Sequence, residues 1–406
     1  MEQPQLIPHL FRTEYRKIVA VLCKRFGFEQ IETAEDIASD TFLTAASSWG
    51  VKGIPQNPAA WLYHVSSNKA KNHLHHIALF DQKISHEIKS ETPEIPELDL
   101  SPQNISDSQL QMMFAICHPA IPPEAQIGLS LRILCGFGIE EIADAFLTNK
   151  ETINKRLFRA KEKLRDENIK IEMPGPQEMD LRLAAVLTTI YLLFSEGYYS
   201  ESNNQTLRKD LCYEAMRLCY MLVENQQTNK PPVNALLSLM CFHASRFEAR
   251  IDKNGELILY EDQDTSLWDL DLINKGVYFN HLATSGGQLS KYHIEAAIAY
   301  WNTRKEDTAE KWENILQLYN RLLQIQYSPI AALNRTYALA KARSKEEAIV
   351  EAEKLQLPNY HFYFALLGEL YTGIDTNKAK ENFEKAVSLA KTQSEKMAMR
   401  KKIDKL

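Results

Sequence analysis

An all-α fold is what these 406 residues predict, and three observations carry that expectation. Apolar positions recur at three- and four-residue spacing through nearly the whole chain, the period of an amphipathic helix and not of a strand. A helix-turn-helix pattern occupies Phe137–Arg165. Near the C-terminus Leu333 and Tyr337 return as Leu367 and Tyr371, a shift of 34 residues in both cases. That is the period of stacked helix pairs, which bury together the faces that one pair leaves open. One stretch departs from helix: in Arg250–Tyr260 an Asn254-Gly255 dipeptide stands between β-prone runs, the signature of a short β-hairpin.

Bulk composition narrows the class. The chain is 45% hydrophobic and 25% charged, ordinary values for a globular protein. With a net charge of −6 it does not coat nucleic acid nonspecifically, so any DNA contact has to be local. Its longest uncharged apolar run, Leu183–Phe194, is too short to span a bilayer, and the first residues lack the basic-then-apolar order of a signal peptide. Six cysteines without a CxxC pair read as reduced thiols, which predicts a cytoplasmic protein with no membrane association.

Residues 1–80 read as helices broken at Pro55 and Pro58. Ala34–Trp49 is amphipathic, with Ile37, Phe42 and Ala45 set for a core and Asp36 and Asp40 together on an i, i+4 edge. Paired carboxylates suit general acid–base chemistry, but no nucleophile or metal-ligand signature accompanies them. From Lys52 to Phe80 there is no Asp or Glu, whereas 53 of the 406 residues in the chain are acidic. This acid-free stretch carries Asn57, Trp61, Asn68, Lys69, Lys71 and Asn72, then His73, His75 and His76. Cations that approach phosphates and aromatics that support unstacked bases are what a nucleic-acid surface needs. The histidines also admit a metal site, against which stands the want of a Cys or carboxylate partner.

Asp81–Ser108 holds seven acidic and two basic residues, a net −5, and three prolines, the composition of a linker. Residues 109–170 form a compact helical unit ending in the helix-turn-helix. There Ile139, Ile142, Ala143 and Phe146 make one apolar stripe and Ile153, Leu157, Ala160 and Leu164 the next, with Thr148, Asn149 and Lys150 between them. Lys150–Arg165 carries seven cations against two carboxylates, a net +5. A second helix so charged suits phosphate contacts, with short polar groups at its N-terminus for base edges; an amphipathic helix with a solvated face is the plainer reading. After MPGPQ at 173–177, residues 180–406 are helical. In this region Tyr198 and Tyr199 are expected in a helix–helix corner, and Glu261, Asp262 and Asp264 are expected to cap a helix starting near Ser266.

Taken in order, AEDIASDTFLTA, NPAAWLYHVSSNKAKN and PPEAQIGLSLRILCGFGIEEIADAFLTNKETINKRLFRAKEKLR resemble an extracytoplasmic-function (group IV) RNA polymerase sigma factor. The resemblance spans residues 1–165. LAAVLTTIYLLFSEGYYS, ARIDKNGELILYEDQD and SPIAALNRTYALA are similar to the long TPR-like extension of the DUF6596 type found in one sigma subgroup. It implies sigma region 2 over 1–80, an acidic linker over 81–108, sigma region 4 over 109–170, and a regulatory extension over 180–406. Helix-to-helix intervals differ between the two repeats, so a plain helical bundle stays open for that end.

The resemblance also implies partners and roles. Asp36, Asp40, Phe42 and Leu43 match the helix that docks the β′ clamp helices of the polymerase core. Asn57, Trp61, Asn68, Lys69, Lys71 and Asn72 match the reader of the −10 element, which captures a flipped base. Thr148, Asn149, Lys150, Thr152, Lys155, Arg156 and Arg159 match the −35 reader, with the β flap as a second polymerase contact. His75 and His76 stand where the family habit is Arg. The expected function is promoter recognition and melting without catalysis, metal or cofactor. Its extension is expected to act by contacting the sigma domains or the polymerase. The alternatives are a helix-turn-helix regulator that works without polymerase and a TPR-like interaction scaffold tethered to DNA.

Overall fold

The computed structural model describes residues 3–84, 98–146, 148–199, 207–252, 258, 260–285, 287, 289–390 and 393–406. The architecture is all-α, as the periodicity predicts. The chain divides into two compact units, Met1–Leu192 and Leu193–Leu406. Among the described residues no helix is long and apolar enough to cross a membrane.

The first unit begins with α1 (Gln3–Phe26), α2 (Ile31–Lys52) and α3 (Pro58–Ile84). It continues with α4 (Pro102–Ile116), α5 (Pro123–Leu129, extended by a π turn over Ser130–Leu134), α6 (Ile139–Ala145) and α7 (Lys150–Asp166). α8 (Met179–Tyr199) carries the chain into the second unit. α1 packs along both α2 and α4, so the segments 1–80 and 109–170 share one unit. Tyr15, Ile18 and Leu22 of α1 are wholly buried, as are Met112 and Phe114 of α4. At Gly136 the backbone has φ 75° and a side chain would meet the Arg12 carbonyl oxygen at 3.3 Å. Only glycine accepts both that dihedral and that approach.

The second unit contains α9 (Lys209–Glu224), α10 (Pro231–Ala244), α11 (Leu270–Ala283), α12 (Lys291–Trp301) and α13 (Ala309–Ile325). It ends with α14 (Pro329–Ala342), α15 (Lys345–Leu355), α16 (His361–Tyr371), α17 (Thr376–Leu389) and α18 (Gln393–Ile403). The 34-residue repeat maps onto two consecutive helix pairs, α14–α15 and α16–α17. Leu333, Leu367 and Tyr371 enter one core with Ala348, Ala352 and Ala379. A side chain at Gly368 would stand 2.6 Å from the Phe383 ring, so α16 and α17 approach closely where the residue is smallest.

One local expectation changes in part. Of the acids at 261–264, Asp264 does cap a helix near Ser266, a short 3₁₀ helix over Thr265–Leu267 in which its side chain accepts from Ser266 N, while the α-helix α11 starts later, at Leu270, under the cap of Asp269. The Asn254-Gly255 turn lies outside the described residues, and at its base Ile258 N donates to the Arg250 carbonyl at 2.8 Å. Tyr198 is buried against Phe194, His243 and Phe247, with the Arg250 guanidinium 3.8 Å from its ring centre. The Tyr199 side chain is outside what is described.

Candidate nucleic-acid interface

α2 places its acids outward. Ile37, Phe42 and Ala45 are buried, leaving Asp36, Asp40 and Leu43 exposed, Leu43 at 68%. Phe42, set for a core by its spacing and matched to the docking helix by resemblance, is 5% exposed and packs edge-on against Phe11 at 5.0 Å. The helix register turns it inward, where it anchors α2 from beneath. Asp40 forms an ion pair with Lys69 of α3.

α3 is sided in the same way. Leu62, Ser66 and Ala70 are buried at four-residue intervals, so the opposite face presents His64, Asn68, Lys71 and Asn72 to solvent. Asn57 acts first as a helix cap: its Oδ1 accepts from Ala60 N at 3.0 Å. Trp61 is half-buried and edge-on to Trp49 at 5.3 Å, which fixes its indole at the rim of this face. Asn68 is held by His64 at 3.0 Å. The histidines do not converge, because His73 turns to Gln30 Oε1 at 3.1 Å and packs against Phe26. Among the described residues no group of three or more His, Cys, Asp or Glu side chains is placed to hold a metal.

A cavity of about 250 Å³ opens beside this helix, lined by Lys24, Arg25, Phe26, Lys71, Leu98 and Asn104 among others. Lys24 and Arg25 extend the cationic surface beyond the residues found from sequence. They belong to the last turn of α1 and reach the α3 face only through folding.

α6 and α7 form the expected helix-turn-helix. Glu141 caps the first helix by accepting from Gly138 N at 2.8 Å, and Asn149 Oδ1 caps the second by accepting from Thr152 N at 2.8 Å. Ile153, Leu157, Ala160 and Leu164 are buried, so α7 seats on the stripe its spacing predicts. Asn149, Lys150, Thr152, Lys155 and Arg159 are exposed, while Thr148 and Arg156 are half-buried. The Arg156 guanidinium lies 5.5 Å from the Phe146 ring centre, which holds its stem against the turn. Phe158, 55% exposed, stands on the outer face near Lys155 and Arg159; the rule that apolar residues turn inward does not find it.

The helix's cations divide into two sets. Lys150 pairs with Glu140, and each strengthens the other's charge: their hydrogen bond lowers the glutamate pKa and raises the lysine's. Among the described residues no ion pair involves Lys155, Arg156 or Arg159. Lys161 and Arg165 turn the other way, toward α2. Lys161 pairs with Glu35, and Arg165 with Glu32, while Arg165 Nε also donates to the Phe28 carbonyl at 2.9 Å. Arg132 Nε meets Glu35 at 2.9 Å from the π turn. Its guanidinium lies 5.7 Å from the Tyr15 ring centre, and burial pushes the Tyr15 phenol up to about 12. These partners were missed in the sequence. An arginine inside the apolar run Gly128–Phe137 is the signal that a buried carboxylate had to exist.

Comparison with known proteins gives this geometry its context. Residues 182–284 match a family of unknown function (DUF6596). The chain is 33% identical over 387 residues to the uncharacterized protein R00370 of Rhizobium meliloti, covering 93% of this chain and 91% of that one. The chain belongs to the same family as that protein. Over 156 residues it is 28% identical to the RNA polymerase sigma-H factor of Pseudomonas aeruginosa, covering 37% of this chain and 79% of that protein. In that part the chain is sigma-like. No solved structure matches.

Proposed function

We propose that this protein is an RNA polymerase sigma factor of the extracytoplasmic-function group. In this reading the first unit recruits core polymerase to promoters and the second regulates that activity. One observation carries it: a single unit holds two separate DNA-compatible faces, the acid-free side of α3 and the outer side of α7. The partial similarity to a sigma factor supports it.

α3 suits the −10 element. A base flipped from the stack costs a few kcal/mol of unstacking, which Trp61 offsets by stacking while Asn68, Lys71 and Asn72 hold the strand. Lys24 and Arg25 continue the phosphate track. α7 suits the −35 duplex, with Lys155, Arg156 and Arg159 on phosphates and Asn149, Lys150 and Thr152 near base edges at the helix N-terminus. Glu151 beside them favours the helix N-terminus electrostatically. Asp36, Asp40 and Leu43 form the polymerase-docking edge of α2. The chain acts as a non-catalytic specificity subunit whose partners are core polymerase and promoter DNA. In this reading the acidic composition of the linker suits the cation-lined channel that nascent RNA uses.

Cosedimentation with core polymerase tests this. The wild-type chain is expected to bind, and Leu43→Asp with Asp36→Lys to bind at least tenfold more weakly, with an unchanged melting temperature because both residues stand in solvent. A chain that binds promoter duplex tightly yet never joins core polymerase would be a stand-alone regulator instead. For the extension, a chain ending at Tyr199 retains α8 and is expected to change promoter output. Identical output would remove its regulatory role.

A further inference from the structure

We propose that the second unit binds a small oxyanion that carries a hydroxyl group, such as inorganic phosphate or a hydroxycarboxylate, among the buried donors gathered around Tyr260. The site goes beyond the promoter reading and does not rest on it.

The loops between α10 and α11 and between α12 and α13 build it, together with the first turn of α13. Arg246, Lys305 and Lys311 place their charges 5.4, 5.2 and 5.1 Å from the Tyr260 ring centre. Both lysines are committed to the fold. Lys305 Nζ donates to the carbonyls of Tyr260, Glu261 and Gln263, and Lys311 Nζ donates to the Tyr260 hydroxyl at 3.0 Å and to the Arg304 carbonyl. Arg246 is not committed in this way. It is 7% exposed, one terminal nitrogen reaches the Tyr198 hydroxyl at 3.5 Å, and its buried Nε has no hydrogen-bond partner. Two more buried atoms around the same tyrosine are equally without a partner, Trp268 Nε1 and Gln263 Oε1. The Gln263 amide is fixed by its Nε2, which donates to the Ile258 carbonyl at 3.2 Å, so the oxygen is the atom left over. Within Glu261–Asp264 only Gln263 is buried.

Charge decides what completes this cluster. Among the described residues no ion pair involves Arg246, Lys305 or Lys311. Burial pulls the Lys311 pKa down, Asp307 opposes the fall, and repulsion from Arg246 and Lys305 adds to it. Asp307 is itself shared with Trp312 Nε1 and Lys341. Arginine has no neutral form to adopt inside a protein, so a buried guanidinium without a carboxylate carries a desolvation cost that the Tyr260 ring offsets only in part. Water satisfies hydrogen bonds but brings no charge. An oxyanion does both, accepting from Arg246 Nε and Trp268 Nε1 while it neutralises the excess. Gln263 Oε1 adds the finer requirement, because it needs a donor. Inorganic phosphate and hydroxycarboxylates carry one; sulfate and simple dicarboxylates do not. Tyr260 and Lys305 are half-buried, which leaves the cluster within reach of solvent.

The test titrates the full chain, in a chloride buffer, with sodium phosphate, sulfate, malate and succinate, by calorimetry and by melting. Phosphate or malate is expected to bind once per chain and to raise the melting temperature with the logarithm of its concentration. The matched anion without a hydroxyl should bind at least about tenfold more weakly, since it leaves Gln263 unsatisfied. Arg246→Met should abolish the effect, and Trp268→Phe, which keeps the ring and loses the N–H, should weaken it about tenfold. Lys341→Ala, a cation that the site does not use, should leave it unchanged. If Arg246→Met fails to fold, Trp268→Phe decides. The site is overturned if none of the four anions binds saturably, or if sulfate matches phosphate and succinate matches malate. It is equally overturned if Trp268→Phe binds as the wild type does. Binding needs neither DNA nor polymerase, so these outcomes stand apart from those that judge the promoter reading.

Discussion

α3 and α7 are both cationic helices, yet they handle charge in opposite ways. α3 gains its surface by omission: no acid lies between Lys52 and Phe80, so its modest cations face solvent unopposed except for the Lys69–Asp40 pair. α7 carries far more charge and spends much of it internally. Lys161 and Arg165 tie the helix to α2, Lys163 pairs with Glu167 along the helix, and Lys150 pairs with Glu140. What remains for a ligand is Lys155, Arg156 and Arg159. Net charge along a helix is therefore a poor measure of charge available to DNA; the tertiary partners decide it.

The largest expected effect separates those two sets. Lys155→Ala with Arg159→Ala should reduce the slope of log affinity against log salt by about 1.8 and weaken −35 duplex binding about 60-fold at 0.1 M salt. Titrations at several salt concentrations read both quantities, and an unchanged slope would move the DNA-binding face elsewhere. Trp61→Ala attacks the other helix by stacking and not by charge. Binding of the single-stranded −10 strand should weaken by about 1–3 kcal/mol with the salt slope unaltered; a fall in slope would mean that Trp61 only props up the cations.

A pH effect is expected in the second unit, away from both faces. His243 is deeply buried, and desolvation, reinforced by Arg246 and Arg250, holds its pKa well below the usual imidazole value. The folded state therefore prefers the neutral ring and the unfolded state takes up a proton more readily. The resulting stability is complete above about pH 6.5 and is lost as pH falls toward the folded-state pKa. Melting curves between pH 7.5 and pH 5 (about that range suffices) should show a decline that His243→Gln flattens. The smallest effect belongs to Lys163→Ala. Its ion pair with Glu167 is half-exposed on both sides, so the melting temperature should barely move and DNA binding not at all. A clear loss of DNA affinity would add Lys163 to the reading face.

The sequence discloses what depends on local period and hides what depends on distant neighbours. The buried stripe of α7 at Ile153, Leu157, Ala160 and Leu164 follows from spacing alone, as does the Asn149 cap. The helix pairs at the C-terminus follow from the 34-residue shift. Lys161 was legible only as one more cation, because its carboxylate, Glu35, lies 126 residues away. Spacing already sets Phe42 for the core, and its packing against Phe11 and Tyr15 bears that out, whereas the 68% exposure of its apolar neighbour Leu43 is known only from the fold. Asn57, which the resemblance matches to the −10 reader, also closes the N-terminus of α3 with its side chain, a local role that its place just before Pro58 makes legible.

Start-site-specific run-off transcription with purified core polymerase tests the central claim most directly. The account predicts that the wild-type chain directs initiation from defined promoters, that Trp61→Ala impairs opening more than recruitment, and that Lys155→Ala with Arg159→Ala impairs recruitment more than opening. Core enzyme that starts at the same sites with or without this protein would contradict it.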